Sequence, residues 1–412
     1  MLIAKKLILI EAQAKHQDNN IFLFSDKTTA PLSLTCVLIS RWILCAACFM
    51  TLWAEADELE GYPPEVAALL QEYQNTSDAN GSTIPSIFAY RSDSSGRTLI
   101  DFESGLIVAS SETISGLKQR IVEVLLTQID PSVIDAHTAY DFGLINQKTK
   151  KPFFFNQIKD HDGESIASVW RAERFANFLI YNELRHAGDF SIVLSMVATH
   201  KQLAGAKYVR YVLESTRSHQ VNPSLVMAIM ETESAFNPMA RSRSNALGLM
   251  QIKADTAGRD YFTRIKGYAH TPSSAYLYQP AQNIEIGSGY LSILARRYLV
   301  GINDPKKLED AVIASYNGGA GNLWRSLNSS GNRKQAIARI NKMTTREFYW
   351  FLTNRHIRSE TRDYVRKVRT RISKYEALLT NNGNGALPVA INPIEIIAHP
   401  PTGLFFQSRS IA

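Results

Sequence analysis

The sequence predicts an α+β N-terminal domain over residues 57–200 followed by a mainly α domain over residues 201–380. Three observations carry this expectation. Short β-type runs split by serine and glycine crowd the stretch from Ile84 to Ala109, and one amphipathic helical pattern follows them. From Ala204 to Tyr375 the pattern is almost wholly helical, with glycine, asparagine and proline marking the breaks. The 412 residues suffice for two separate cores.

Residues 1–56 read as a leader. Leu32–Ala56 is apolar, with Arg41 its only cation and Glu55 its only anion. Arg41 followed by Trp42–Trp53 has the form of an n-region and h-region. Ala54-Glu55-Ala56 then supplies a small-x-small cleavage signal that leaves Asp57 first. The stretch is also nearly long enough to span a bilayer, so an uncleaved anchor is the second reading and a buried helix the third. Met1–Pro31 is unusual ahead of an export signal, and a misassigned upstream start codon would account for it.

Asp57–Thr83 is an acidic, partly helical lead-in. Phe88-Ala89-Tyr90, Thr98–Phe102 and Leu106–Ala109, split by Ser94-Ser95-Gly96 and Ser104-Gly105, fit a β-meander. Ile114–Ile129 places Leu117, Ile121, Val124 and Leu125 at helical spacing, and Asp130-Pro131 closes it. Phe153–Ile158, Trp170–Asn182 and Phe190–Val197 read as strand, helix and strand. His137, His161 and His186 are isolated, so this domain is expected to carry no chemistry. Beyond Leu379, an Asn/Gly run and then Pro388, Pro393, Pro400 and Pro401 predict an extended or disordered tail over 381–412.

The net charge of +7 admits nucleic acid, anionic lipid or peptidoglycan with its peptide carboxylates as partner. The basic residues come without a recognisable base-reading motif, which sets nucleic acid aside. Cys36, Cys45 and Cys48 all lie in the leader, so nothing after them can form a disulfide or a thiolate zinc site. No metal-ligand cluster is visible, and neither metal nor cofactor is expected.

The chemistry points to Val221–Ser234. Asn222 is a good N-cap and Pro223 suits the first helical position, so a helix starts here. Val226, Ile229 and Met230 lie on one stripe at i, i+3 and i+4, and Glu233 is the i+7 position of that stripe. Glu231 projects roughly 200° away and is expected to face solvent. A carboxyl on the buried side is held protonated because its ionised form loses hydration, and it can then protonate a glycosidic oxygen. Taken alone, Glu233 reads more readily as a capped or paired glutamate at a helix end, since Phe236-Asn237-Pro238 ends the helix just after it.

Glu233-Ser234-Ala235-Phe236-Asn237-Pro238, Ala246-Leu247-Gly248-Leu249-Met250-Gln251-Ile252 and Ser315-Tyr316-Asn317-Gly318-Gly319 change that balance. In this order and spacing they resemble the motif series of the family 1 lytic transglycosylases. Thr271-Pro272-Ser273-Ser274, Pro280–Ile284 and the α+β segment in front resemble the membrane-bound lytic murein transglycosylase C branch of that family. The resemblance implies a lysozyme-like (goose-type/SLT) fold for the helical domain and Glu233 as the single catalytic acid/base. It further implies that Ser234, Met250, Gln251, Tyr316, Asn317 and Tyr364 bind substrate, with Ser234 on the sugar or the Glu233 carboxyl and Tyr364 closing the site. For Met250 plain core is the alternative, for Ser234 a local hydrogen bond, and for Gly318-Gly319 a helix stop.

No second acid accompanies the motifs; Asp255 lies just past Gln251 but belongs to none. The implied reaction is therefore substrate-assisted. Glu233 protonates the oxygen between N-acetylmuramic acid and N-acetylglucosamine, the acetamido group stabilises the cation, and Glu233 then deprotonates the muramic C6 hydroxyl, giving a 1,6-anhydro product. The expected setting is a monomer on peptidoglycan glycan strands in the periplasm, with membrane association through the N-terminal segment. The branch usually carries a lipidated cysteine; here Cys48 follows Ala46-Ala47, but Cys45 stands where an apolar residue belongs. Arg355, Arg358, Arg362, Arg366, Arg369 and Arg371 read as a solvated face or as a hold for acidic stem peptides. Two rivals stay open, a goose-type lysozyme hydrolase and a non-catalytic peptidoglycan-binding module. On this reading Glu233→Gln abolishes cleavage and Glu231→Gln leaves activity near normal.

Overall fold

The structure, a computed structural model, describes residues 64–78, 81–93, 95–127 and 151–381. The leader with its three cysteines, Asp130-Pro131, His137 and the tail lie outside the described residues. Helix α1 (Pro64–Thr76) leads into a two-residue hairpin, β1 (Ser77–Asp78) with β2 (Gly81–Ser82). The meander follows as β3 (Ile87–Asp93), β4 (Gly96–Asp101) and β5 (Leu106–Ser111). Then come α2 (Ile114–Leu126), α3 (Val169–Glu183), β6 (Arg185–Ala187) and β7 (Asp189–Ser195). The sheet is antiparallel throughout, in the order β3-β4-β5-β7-β6, with Leu99 opposite Val108 and Val108 opposite Val193. Ile100 and Ile107 on one face, and Leu99 and Val108 on the other, are all buried, so the sheet is covered on both sides. Leu117, Ile121, Val124 and Leu125 of α2 join the first face. Helix α2 starts where the Thr113 side chain accepts from the Gly116 N–H.

One expected strand is absent. Phe153–Ile158 is wound into turns, with Gln157 and Ile158 N–H both donating to the Phe154 carbonyl. Asn156 sits at φ 66°, a left-handed conformation that extended backbone cannot hold. The apolar side chains that suggested a strand still reach the core, Phe154 and Ile158 being buried. Among the histidines, His161 stacks on Phe178 and His186 on Phe190.

The helical part comprises α4 (His200–Ala206), α5 (Val209–His219) and α6 (Pro223–Ser234), then a stretch over 254–266 that alternates α and π turns. It continues with α7 (Ser274–Tyr278), α8 (Pro280–Ile293), α9 (Pro305–Gly318), α10 (Ala320–Leu327), α11 (Arg333–Lys342), α12 (Thr345–Asn354) and α13 (Ser359–Asn381). Side-chain caps mark many of the starts: Asn222 before α6, Ser273 before α7, Asp304 before α9, Asn332 before α11, and Thr344 with Glu347 in a capping box on α12. Helix α6 is buried along Ser224–Glu231 and lies at the centre of this core. Each of Val226, Ile229 and Met230 contributes roughly 1.5–3 kcal/mol by leaving water.

Among the described residues the two parts are joined by shared packing and by polar ties. Phe88 packs against both cores, and Ala235, at the end of α6, belongs to the core of the sheet. Asn237 Nδ2 donates to the Pro85 carbonyl at 2.8 Å, and Glu103 receives Lys201 at 2.6 Å and Arg371 at 3.5 Å. Among the described residues, no helix is long and apolar enough to cross a membrane.

Candidate active site

Glu233 stands in the last turn of α6, which stops because Ala235 (φ 50°) and Phe236 (φ 64°) both take the left-handed conformation. Two consecutive non-glycine residues there cost of order 1–3 kcal/mol each and persist only where packing over-determines them. Here Phe236 is fully buried with its ring edge-on to Tyr375, and Asn237 accepts the Met239 N–H while it ties to Pro85. The Glu233 carboxyl is therefore set by a rigid corner.

Tyr364 of α13 donates to Glu233 Oε1 at 2.7 Å. Burial pushes the Glu233 carboxyl up to about 7; the Tyr364 hydrogen bond works against this and the negative charge of Glu360 adds to it. Tyr316 of α9 lies close enough for Glu233 to be a main cause, after burial, of the rise in its own phenol pKa, and Tyr364 feels both groups. The Tyr316 hydroxyl donates to the Met250 carbonyl at 2.7 Å, and its ring lies 5.9 Å from that of Tyr290. Glu233, Tyr316 and Tyr364 thus form one cluster built from three helices.

Glu231 does not face solvent. It is 5 % exposed, on a helix covered on both sides, and α13 meets it with three partners. Tyr375 donates to Oε2 at 2.5 Å, Lys374 pairs with Oε2 at 2.9 Å, and Arg371 lies 3.4 Å from Oε1. Burial opposes ionisation here too, but the hydrogen bonds from Tyr375 and Lys374 and the nearby cations outweigh it and hold the carboxyl below the usual range. The difference between the two glutamates comes from their partners.

The loop after α6 is shaped by glycine and one asparagine. Gly248 sits at φ 72°, where a Cβ would lie 2.4 Å from Asn283 Nδ2. Asn283, fully buried on α8, accepts the Met250 N–H at 2.8 Å and donates to the Leu247 and Leu277 carbonyls. Met250 is fully buried and packs where a Cβ on Gly287 would stand 2.2 Å from its sulfur, so its side chain is core and its carbonyl serves Tyr316. Gln251 (φ 49°) donates from Nε2 to the Ala240 and Gly248 carbonyls, which fixes its amide orientation and leaves Oε1 buried without a partner. The Ser234 side chain is 1 % exposed and its hydroxyl is engaged by the Met230 and Leu249 carbonyls, so it offers nothing to a sugar.

Asn317 joins α9 to α13: Oδ1 accepts from Thr361 at 2.7 Å and Nδ2 donates to Glu360 at 3.3 Å. A Cβ on Gly318 would lie 2.7 Å from Thr361 Oγ1 and 3.3 Å from the ring of His356, so the glycine permits this approach. The structure therefore gathers Glu233, Tyr316 and Tyr364 directly, adds Gln251 and Asn317 through neighbouring loops, and leaves the Ser234 and Met250 side chains in the core. Sequence reasoning missed Asn283, Glu360 and Thr361. The first lies inside the Pro280–Ile284 segment and was readable as a buried amide; the others follow the last break before the final helix and carried no signal. Asp255 is exposed in a π-helical turn. Among the described residues no group of three or more His, Cys, Asp or Glu is placed to hold a metal ion.

Against known families, residues 210–338 match the transglycosylase SLT domain, and residues 70–207 match the N-terminal domain of membrane-bound lytic murein transglycosylase C. Among solved structures, the 70 kDa soluble lytic transglycosylase SLT70 from Escherichia coli is 26 % identical over 42 % of this chain, with a TM-score of 0.31. An inactive mutant of lytic transglycosylase Slt from Pseudomonas aeruginosa is 24 % identical over 42 % of this chain, with a TM-score of 0.30. The matched segment spans 24 % of each of those longer chains.

Proposed function

The chain belongs to the family 1 lytic transglycosylases, close to membrane-bound lytic murein transglycosylase C, and from that premise we propose that it cleaves peptidoglycan between N-acetylmuramic acid and N-acetylglucosamine to leave a 1,6-anhydro end. The observation that carries the reading is a Glu233 carboxyl raised to about 7 and aimed by the Tyr364 hydroxyl. Near neutral pH such a group can both give and take a proton, as a single acid/base must.

Glu233 gives its proton to the glycosidic oxygen, and the carbonyl oxygen of the substrate's acetamido group stabilises C1 as the bond breaks. The ionised Glu233, now accepting from Tyr364, takes the proton of the C6 hydroxyl while O6 bonds to C1. Both protons are accounted for and no water enters. Gln251 Oε1, a buried acceptor without a partner, suits an acetamido N–H. Ser234 and Met250 shape the corner behind the carboxyl and do not touch sugar. We place the protein, acting as a monomer, on glycan strands in the periplasm, with residues 1–56 providing any membrane association.

A second reading, hydrolysis as in a goose-type lysozyme, has one observation in its favour: the Glu360 carboxylate lies close enough for its charge to reach Glu233. Mass spectrometry of muropeptides released by the protein from Asp57 onward separates the readings. Products one water lighter than reducing muropeptides support the lytic reaction, reducing ends support hydrolysis, and no release by protein that still binds the wall leaves a binding module.

A further inference from the structure

The arginines on α13 are almost all neutralised. Arg366 pairs with Asp363, Arg369 with Glu309 and Asp310, and Arg371 with Glu231 and Glu103, while Arg358, just before the helix, pairs with Glu360. A different pattern surrounds a groove of ≈ 870 Å³ between α11 and α12, walled by Arg339, Lys342, Arg346, Trp350 and Arg355. A hollow of ≈ 590 Å³ shares Arg339 and Ser326 with it and adds Arg325, Asn328 and Gln335. Among the described residues, none of Arg325, Arg339, Lys342, Arg346 and Arg355 forms an ion pair with an acid. Arg339 lies 5.6 Å from the centre of the Phe351 ring and Arg355 5.7 Å from that of Trp350, which is 52 % exposed. The one acid in the wall, Glu347, has its carboxylate taken by the N–H and hydroxyl of Thr344.

Like charges on a concave wall reinforce one another, and the potential is strongest inside the groove. A recessed site suits a narrow polyanionic chain better than a flat lipid surface. Trp350 adds an apolar face at the rim. The groove also backs onto the Asn317 side of the candidate active site through a single loop. On one side of it the Ile357 N–H donates to Ser326 Oγ; on the other His356 packs against Gly318, and Glu360 meets Asn317.

We propose that this groove binds the acidic stem peptides of peptidoglycan by their carboxylates, so that a strand is held by its sugars at Glu233 and by its peptides here. The proposal rests on the substrate assigned above and gives that substrate a second, separate point of contact.

The test uses the chain from Asp57 onward and a variant carrying Lys342→Ala, Arg346→Ala and Arg355→Ala. All three side chains are exposed, so the variant is expected to fold. Calorimetry measures binding of a synthetic acidic stem tetrapeptide and of its amidated, neutral twin. The wild type should prefer the acidic peptide by about tenfold or more, less so at high salt, and the variant should lose the preference. KM on peptide-bearing strands should rise about tenfold in the variant, with the rate on amidase-stripped strands unchanged. Equal affinity of both proteins for the acidic peptide, or no preference for it over its twin, overturns the proposal. So does a variant that loses only its binding to anionic phosphatidylglycerol vesicles. A wild type that cleaves neither kind of strand sinks the lytic reading instead, while the peptide titration still decides the groove.

Discussion

Glu231 and Glu233 stand two residues apart on one buried helix, and their titrations run in opposite directions. The folded chain holds the Glu233 proton more tightly than the unfolded chain, at about 7 against 4.5. Its stabilising contribution is thus full below pH 4.5 and lost as pH rises through 7, a difference of about 3 kcal/mol before any relief from solvent. Glu233→Gln should abolish muropeptide release and raise the melting temperature relative to wild type at pH 8 but not at pH 4. A variant less stable than wild type at pH 8 would contradict a carboxyl whose ionised form is penalised by its surroundings. Glu231 is lowered, so its contribution is present above 4.5 and lost as pH falls below it. Glu231→Gln removes the counter-charge of Lys374 and one of the two counter-charges of Arg371, and should cost about 3 kcal/mol at pH 7 in a denaturant titration. Tyr364→Phe removes the bond that favours ionised Glu233. The alkaline limb of the pH–rate profile should move to higher pH and the maximal rate should fall about 10–100-fold; an unmoved limb would show that the phenol does not set the titration.

Elements that rest on local pattern were legible in the sequence. The Asn222-Pro223 start of α6, the three-strand meander and the periodic stripe of α2 need only neighbours within a few residues. What escaped depends on partners far along the chain or on single backbone angles. The burial of Glu231 is decided by Tyr375, and the turn at Phe153–Ile158 by the left-handed Asn156. The site was legible as a set of motifs, but not that Met250 contributes a carbonyl and Ser234 a tie to the loop, because those roles depend on Tyr316 and Leu249 across the fold. Asn283 is the element-scale test. Its side chain satisfies one N–H and two carbonyls between α6, α7 and α8. Asn283→Ala strips the Met250 N–H and the Leu277 carbonyl of this partner and leaves the Leu247 carbonyl only the Ile252 N–H, and should cost about 3 kcal/mol in thermal unfolding. A loss within 1 kcal/mol would mean that water replaces the amide.

At the scale of the molecule, the sheet and the helices share Phe88, Ala235, Asn237–Pro85 and the Glu103 ion pairs. Residues 64–381 should therefore unfold in one calorimetric transition with equal calorimetric and van't Hoff enthalpies; two resolved transitions would separate the layers. The corner carrying Glu233 is braced from the sheet side by Pro85 and from the helical side by α13, so loosening either layer should weaken catalysis. Helix α13 has a consequence in time. It supplies Tyr364 to Glu233 and all three partners of Glu231, yet it is the last described helix that the ribosome makes. A nascent chain that has reached only His356 already contains all three motifs, but lacks the phenol and the counter-ions that set both carboxyls and the Tyr375 ring that braces the corner. A product that stops before α13 therefore lacks both the group that aims Glu233 and every one of these partners of Glu231.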